Sequence, residues 1–181
     1  RTRFDVLRSA TEETFEQFGV SDPDPDHIED MTIGATPSSV ADVCEAYDLQ
    51  PETFWRVRDK TMSGAQQAEA RAGRKTPYSD LTVLDELDAS CGIVSSNQQE
   101  TVDFLLEHFE IGGLFETAYG REATVESLDL RKPNPHYLER ALADLDADSA
   151  LFVGDNESDI KAAENAGIDS AFIRRPHRTD W

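Results

Sequence analysis

Cysteine, lysine and long apolar runs are all scarce in this chain of 181 residues. Its two cysteines, Cys44 and Cys91, are too few for a disulfide framework or a cysteine-rich metal cluster. Both lie in apolar helix or strand patterns, so we interpret them as small buried residues and expect a reducing, cytoplasmic environment. No stretch is apolar for long enough to span a bilayer, and no signal-peptide pattern occurs near the start, so we expect no membrane partner.

Bases are few and mostly arginine. Thirty-seven acidic residues oppose 17 basic ones, which gives a net charge of −20, and only four of the bases are lysine. Such a charge repels nucleic acid and anionic membranes, so both are poor partners. The acids are spread along the chain, which favours a halophilic protein that works in molar salt, where electrostatic screening shortens to about 3 Å. An ordinary acidic protein is the alternative.

Residues 1–75 carry apolar residues at helical spacing and no strand pattern. Thr36 and Pro37 form an N-cap and a first-turn proline, and Pro51 begins another helix. The apolar faces comprise Phe4, Leu7, Thr11, Phe15 and Phe18, then Val40, Val43, Cys44 and Tyr47, then Phe54, Trp55, Arg58 and Met62. We predict a small all-helical unit over residues 1–75.

From residue 76 to residue 181, continuous apolar runs alternate with helical patterns. The predicted strands cover residues 91–95, 115–119, 150–153 and 171–173. Strands that are apolar on both faces indicate a parallel sheet covered by helices on both sides. The predicted fold class is therefore α/β, a Rossmann-like parallel sheet beside the helical unit. In such sheets, ligand-binding residues gather at the carboxyl ends of the strands.

Three polar groups occupy such positions. Ser95 ends a predicted strand and is followed by Ser96 and Asn97, whose hydroxyl and helix N–H groups could bind phosphate, although these residue types are also common helix caps. Lys132 precedes two prolines at a helix start, where a cation is unfavourable unless it reaches an anion. A solvated lysine is the alternative.

The third group is Gly154-Asp155-Asn156-Glu157-Ser158-Asp159, directly after a predicted strand. Asp155 and Asp159 can face one point, and two crowded carboxylates repel unless a cation lies between them. A few oxygen ligands with positions left for water and substrate suit Mg²⁺. A capping loop would explain one acid but not the focused pair.

Ser95, then Lys132-Pro133, then Gly154-Asp155-x-x-x-Asp159 resembles, in order and spacing, the second to fourth motifs of the haloacid dehalogenase superfamily. The resemblance covers residues 76 to 181, and the helical unit resembles the cap that phosphoglycolate phosphatase-like members insert after their first strand. It implies a Mg²⁺-dependent hydrolase in which the phosphoryl group is bound by Ser95, Ser96, Asn97 and Lys132 and the metal by Asp155 and Asp159.

The resemblance also implies a first motif, Asp-x-Asp at the tip of the first strand, which supplies the nucleophile and a general acid/base. The segment Asp22-Pro23-Asp24-Pro25-Asp26 has that spacing, but it follows a helix stop and is stiffened by prolines, so we predict a loop and helix cap there. Because Arg1 opens directly into a helical pattern, we expect the nucleophile and the first core strand upstream. The 181 residues alone should then be inactive and weakly stable.

Two basic clusters stand out. Arg71, Arg74 and Lys75 could reach a second anionic group on a substrate, but cations also favour helix C-termini, and that interpretation fits the sequence better. The bases of residues 174–178 could act similarly or form a surface tail.

The resemblance implies a phosphatase that acts on a small phosphorylated metabolite through an aspartyl-phosphate intermediate, as a monomer or homodimer. Two alternatives stay open: a non-catalytic binding domain on the same scaffold, and a 2-haloacid dehalogenase, against which the Asp155/Asp159 pair argues. Without the first motif, a phosphomutase is also not distinguished.

Overall fold

The computed structural model describes residues 2–174, so the bases of residues 175–178 lie outside it. Its first part contains four helices, α1 (Phe4–Gln17), α2 (Pro25–Thr32), α3 (Pro37–Ala46) and α4 (Pro51–Arg71). Asp24 caps α2, because its carboxylate accepts a hydrogen bond of 2.9 Å from the backbone N–H of Asp26. The Asp-Pro segment is therefore a helix cap, as predicted. None of the described helices combines the length and apolar character needed to cross a bilayer.

The helical part has a tightly packed apolar core. Phe15, Met31, Val40 and Phe54 are all 0% exposed. The ring of Phe15 lies against those of Tyr47 and Phe54, with centroid distances of 5.5 and 5.1 Å. Full burial of one such side chain contributes about 1.5–3 kcal/mol, so this part of the chain carries a large share of the stability.

The second part alternates strands with helices, as predicted. Its elements are β1 (Gly92–Gln98), α5 (Gln99–His108), β2 (Thr117–Arg121), α6 (His136–Asp144), β3 (Leu151–Gly154), α7 (Glu157–Asn165) and β4 (Asp169–Phe172), with 3₁₀ helices at Ser79–Glu86, Gly112–Leu114 and Glu126–Leu128. β1 continues past its predicted end at Ser95, because its pairing with β2 resumes after a break, where Gln98 lies opposite Arg121. Helix α5 accordingly begins at Gln99.

The predicted parallel strands are present but form two separate pairs, and β3 is not covered as the apolar pattern predicted. β1 pairs with β2, and β3 pairs with β4; over residues 2–174 no strand joins the pairs. Leu151 and Val153 on β3 remain 61% and 53% exposed. The physical reason is that β1 and β3 each lack a neighbour on one edge, which is consistent with the expected absence of a first core strand.

An apolar cavity of about 850 Å³, here called the sheet cleft, separates the two pairs. Ile93 and Val94 of β1 line one side of it, and Leu151 and Val153 of β3 line the other. Leucines of α6 and of the 3₁₀ helix Ser79–Glu86 complete its wall. The sheet cleft therefore offers apolar side chains and the edges of two strands to the same space.

A buried polar cluster joins the helical part to the first strand pair. Asp59 of α4 is 1% exposed, and its carboxylate accepts hydrogen bonds from Arg58 at 3.0 Å, Gln98 at 3.2 Å and Arg121 at 2.6 Å. Burial lowers the pKa of Arg58 to about 10, although the adjacent Asp59 acts in the opposite direction. Removal of one partner from such a buried group leaves an uncompensated charge. This cluster therefore fixes α4 against the carboxyl ends of β1 and β2.

Candidate active site

Lys132 lies between the two strand pairs. Its Nζ donates a hydrogen bond of 3.1 Å to the carbonyl of Val94 in β1 and lies 2.6 Å from the carboxylate of Asp159 in α7. Its side chain is only 14% exposed, so the alternative of a solvated lysine does not hold. One ammonium group thus links the end of β1 to the start of α7.

Asp159 is held by contacts on both of its carboxylate oxygens. Oδ1 pairs with Lys132, while Oδ2 accepts hydrogen bonds from the backbone N–H groups of Asp155 at 3.0 Å and Asn156 at 2.9 Å. Gly154 makes this close approach possible, because a Cβ atom at that position would lie 2.2 Å from the Asp159 Cβ. Asp159 therefore orients Lys132 and caps α7 at the same time.

Asp155 lies at the end of β3, beside this pair. Its Oδ1 accepts a hydrogen bond of 3.0 Å from the side chain of Asn156. Asp155, Asp159 and Lys132 all line the sheet cleft, together with Val94. The structure thus brings the predicted lysine and both predicted acids to one place.

Ser95 lies one residue beyond Val94, and the backbone N–H of Asn97 donates a hydrogen bond of 3.1 Å to its hydroxyl oxygen. Ser96 and Asn97 are exposed, and Asn97 faces the helical part, since Gln66 of α4 contacts its side-chain oxygen at 3.5 Å. The lining of the sheet cleft includes Asp155 and Asp159 but none of Ser95, Ser96 and Asn97. Ser95 is linked to that pair through its chain neighbour Val94, whose carbonyl binds Lys132.

Few side chains at this site could bind a divalent cation. In the part of the chain that the structure describes, no group of three or more His, Cys, Asp or Glu side chains is placed to hold a metal. Mg²⁺ commonly uses only one or two protein carboxylates and completes its shell with water and substrate phosphate, so the Asp155/Asp159 pair fits that donor pattern. Both oxygens of Asp159 already have partners, so a cation bound at this pair would share Asp159 with Lys132.

The sequence interpretation missed two features of this end of the fold. It did not identify Gln66, whose helical spacing from the buried Met62 and Ala70 marks a polar residue on the inner face of α4. It also did not identify the Asp59–Arg121 contact, for which the sequence carries no signal because the partners are 62 positions apart. Chemically, the site offers one held ammonium, one strand-end hydroxyl and one carboxylate pair, a set suited to a phosphoryl group and a cation.

The chain resembles known proteins in sequence and in fold. A family model described as haloacid dehalogenase-like hydrolase matches residues 3–173. Pyrophosphatase PpaX of Bacillus cereus is 32% identical over 101 residues, and the match covers 55% of this chain and 45% of that protein. PpaX of Bacillus anthracis matches to the same extent. The chain therefore matches about half the length of these curated relatives.

Two solved structures share the fold. A predicted phosphoglycolate phosphatase from Haemophilus somnus superposes with a TM-score of 0.58 at 18% identity, covering 92% of this chain and 77% of that one. A hydrolase from Streptococcus pneumoniae gives a TM-score of 0.50 at 18% identity, covering 96% and 86%. At this identity the likeness concerns the fold alone. With the family model matching nearly the whole chain, the protein belongs to the haloacid dehalogenase-like hydrolase family.

Proposed function

We propose that this chain forms the larger part of a Mg²⁺-dependent phosphatase that acts on a small phosphorylated metabolite. The observation that carries the proposal is the position of Lys132, which binds the Val94 carbonyl and the Asp159 carboxylate at the end of the sheet cleft. A nearly buried ammonium held at the carbonyl of the residue before Ser95 is suited to bind a phosphoryl group. Residues 1–75 would serve as the cap over the core of residues 76–181.

Each site residue has a defined part in the proposed reaction. Ser95 donates a hydrogen bond to the transferring phosphoryl group, and Lys132 neutralises negative charge on that group and on the attacking carboxylate. Asp159 keeps Lys132 in position. Asp155 would hold Mg²⁺, which when bound supplies further charge neutralisation. In the first step a carboxylate oxygen would bond to phosphorus as the bond from phosphorus to the substrate oxygen breaks, and the second acid of the Asp-x-Asp motif would protonate that leaving oxygen. The same acid, now deprotonated, would take a proton from the water that releases phosphate from the aspartyl phosphate.

The attacking carboxylate is proposed to lie on a strand that occupies the sheet cleft. Both flanking strands, β1 and β3, lack a partner on the edge that lines it, and its wall is apolar. A strand there would bury Leu151 and Val153 and would end beside Lys132 and Asp155. The 181 residues alone are accordingly expected to be inactive.

The names of the relatives are the basis for a proposal about the substrate class. The curated relatives are named pyrophosphatases, and one structural relative is titled a predicted phosphoglycolate phosphatase. We propose that the substrate is a phosphate compound similar in size to pyrophosphate and phosphoglycolate. The predictions of a cytoplasmic location and of adaptation to molar salt stay predictions.

The test uses the longest reading frame that contains these residues, assayed with p-nitrophenyl phosphate and Mg²⁺. Lys132→Met should lower kcat by about 10²–10³-fold, the loss typical of one charge-stabilising donor. Lys161→Met, which removes an exposed lysine on α7, serves as the control and should leave kcat within about twofold.

Other outcomes separate the alternatives. A reading frame without an upstream Asp-x-Asp and without turnover would indicate a non-catalytic binding domain. Release of chloride from 2-chloropropionate without Mg²⁺ would indicate a dehalogenase. A fully active Lys132→Met protein would contradict the proposed site.

A further inference from the structure

Lys75, which follows α4, differs from the two arginines beside it. Arg74 pairs with Glu69 at 2.6 Å, and Arg71 bonds Gln67 at 3.2 Å and lies over the ring of Phe104. The Nζ of Lys75 instead donates to a neutral group, the side-chain oxygen of Gln66, at 3.2 Å. No carboxylate lies within ion-pair distance of it in the described residues 2–174. The three bases that the sequence grouped together are therefore not equivalent.

Gln66 connects Lys75 to the end of β1. Gln66 is 5% exposed, and its amide nitrogen lies 3.2 Å from Gln98 Oε1 and 3.5 Å from Asn97 Oδ1. Asn97 in turn donates its backbone N–H to Ser95. One amide group and two hydrogen bonds thus separate the Lys75 ammonium from the segment of β1 that contains Ser95 and Asn97.

Two of the four lysines therefore lie on either side of the segment of β1 that contains Ser95 and Asn97. Lys132 binds Val94 on one side of Ser95, and Lys75 reaches Asn97 through Gln66 on the other. Burial lowers the pKa of Lys75, with Glu69 as an opposing influence. A partly buried ammonium that no carboxylate contacts directly is unfavourable, and in a chain of net charge −20 a contacting carboxylate could readily have been placed there. A bound anion would supply that direct contact.

We propose that Lys75 binds a second anionic group of the substrate while Ser95 and Lys132 hold its phosphoryl group. This inference rests on the proposed phosphatase function. It defines the substrate class as a small phosphate compound that carries a carboxylate or second phosphate close to the first. Gln66 acts as a positioning residue, because it fixes the Lys75 ammonium without touching the substrate.

The kinetic test compares three substrates in the complete protein: p-nitrophenyl phosphate, which has one anionic group, and inorganic pyrophosphate and 2-phosphoglycolate, which have two. Lys75→Met should raise KM for the substrates with two anionic groups by about 10–100-fold, the range of a lost charged hydrogen bond. KM for p-nitrophenyl phosphate should change less than about twofold. The substrate with the larger KM change identifies the second group as phosphate or carboxylate.

Two further variants serve as controls. Lys75→Arg keeps the positive charge and should recover most of the affinity for the compounds with two anionic groups. Arg71→Gln removes an exposed charge four residues earlier and should leave all three KM values unchanged. If Lys75→Met does not fold, as judged by circular dichroism, Lys75→Gln replaces it, since Gln can keep a hydrogen bond to Gln66.

A binding measurement gives a readout independent of turnover. Isothermal titration of the complete protein, without Mg²⁺ so that turnover does not interfere, should show tighter binding of inorganic pyrophosphate than of phosphate, and Lys75→Met should abolish the difference. Equal loss on all three substrates, or no loss on any, would overturn the role of Lys75 while leaving the phosphatase intact. Absence of all phosphatase activity in the wild type would overturn the proposed function and this inference with it.

Discussion

Apolar side chains in the core of the helical part are fully buried, whereas two of those of β3 in the α/β part are largely exposed. In α1 and α4, Phe15 and Phe54 are 0% exposed, whereas Leu151 and Val153 in β3 keep more than half of their surface accessible. The difference does not come from residue type, since all four are strongly apolar. It comes from neighbours, because α1 and α4 pack against each other and β3 has a partner on one edge only.

The most deeply buried apolar residues and the residues of the proposed site lie in different regions of the chain. The helical part has a closed core, to which Leu128 of the α/β part also belongs, and a satisfied capping box at Thr36, so its packing does not involve the open edge of β3. The site residues Lys132, Asp155 and Asp159 instead line the sheet cleft, where packing is incomplete. An element that fills the sheet cleft would therefore change the site and the stability of the α/β part together.

The largest expected difference between the regions is in thiol reactivity. Cys44, in the helical core, is 0% exposed, and burial raises its pKa to about 11, whereas Cys91 lines the sheet cleft and is only partly buried. At pH 8 we expect iodoacetamide to label Cys91 at least about 10³-fold faster than Cys44, because Cys44 needs both local opening and deprotonation. Mass spectrometry of peptides over a time course measures both rates.

The labelling rates also test whether the sheet cleft is open. A segment bound there should slow the labelling of Cys91 and leave that of Cys44 unchanged. Equal rates for the two cysteines in the 181-residue chain would show that the helical part opens as readily as the α/β part.

The second prediction compares two deletions of apolar atoms. Phe15→Ala should lower the free energy of unfolding by about 3–5 kcal/mol, because it leaves a cavity in a closed core. Leu151→Ala, at a position that is 61% exposed, should change it by less than about 0.5 kcal/mol. Urea denaturation followed by circular dichroism gives both values. If Leu151→Ala lowered the free energy of unfolding by more than about 2 kcal/mol, Leu151 would have to be buried in solution, contrary to its exposure in the structure.

Much of the helical part could be predicted from the sequence, because its helices carry local signals. Thr36 with Pro37, and Asp24 with Pro25, mark helix starts within a few residues, and the apolar spacing of α4 identifies Phe54 and Trp55 as buried. The alternation of strands and helices after residue 76 was equally visible. These are local properties, which the amino-acid order records directly.

The pairing of distant residues could not be predicted. The break between β1 and β3 depends on which strands become neighbours, and the Gln66–Asn97 contact depends on how α4 packs against the strand ends. The sequence indicated that Asp155 and Asp159 face one point, but it did not indicate that Asp159 contacts Lys132 and two backbone N–H groups. Roles that depend on such long-range geometry need the structure.

The third prediction concerns the exposed face of β3. A substitution there should change the free energy of unfolding least but should change self-association more. Val153→Lys should change the free energy of unfolding by less than about 0.5 kcal/mol, because the side chain is already more than half exposed. It should nevertheless reduce self-association, since a charge on an open strand edge blocks edge-to-edge pairing. Ile33→Lys is the matched control: Ile33 is 59% exposed but follows a helix, so its replacement should leave self-association unchanged. Sedimentation velocity over a concentration series measures both variants, and an equal response would mean that exposure alone, and not the open edge of β3, drives association.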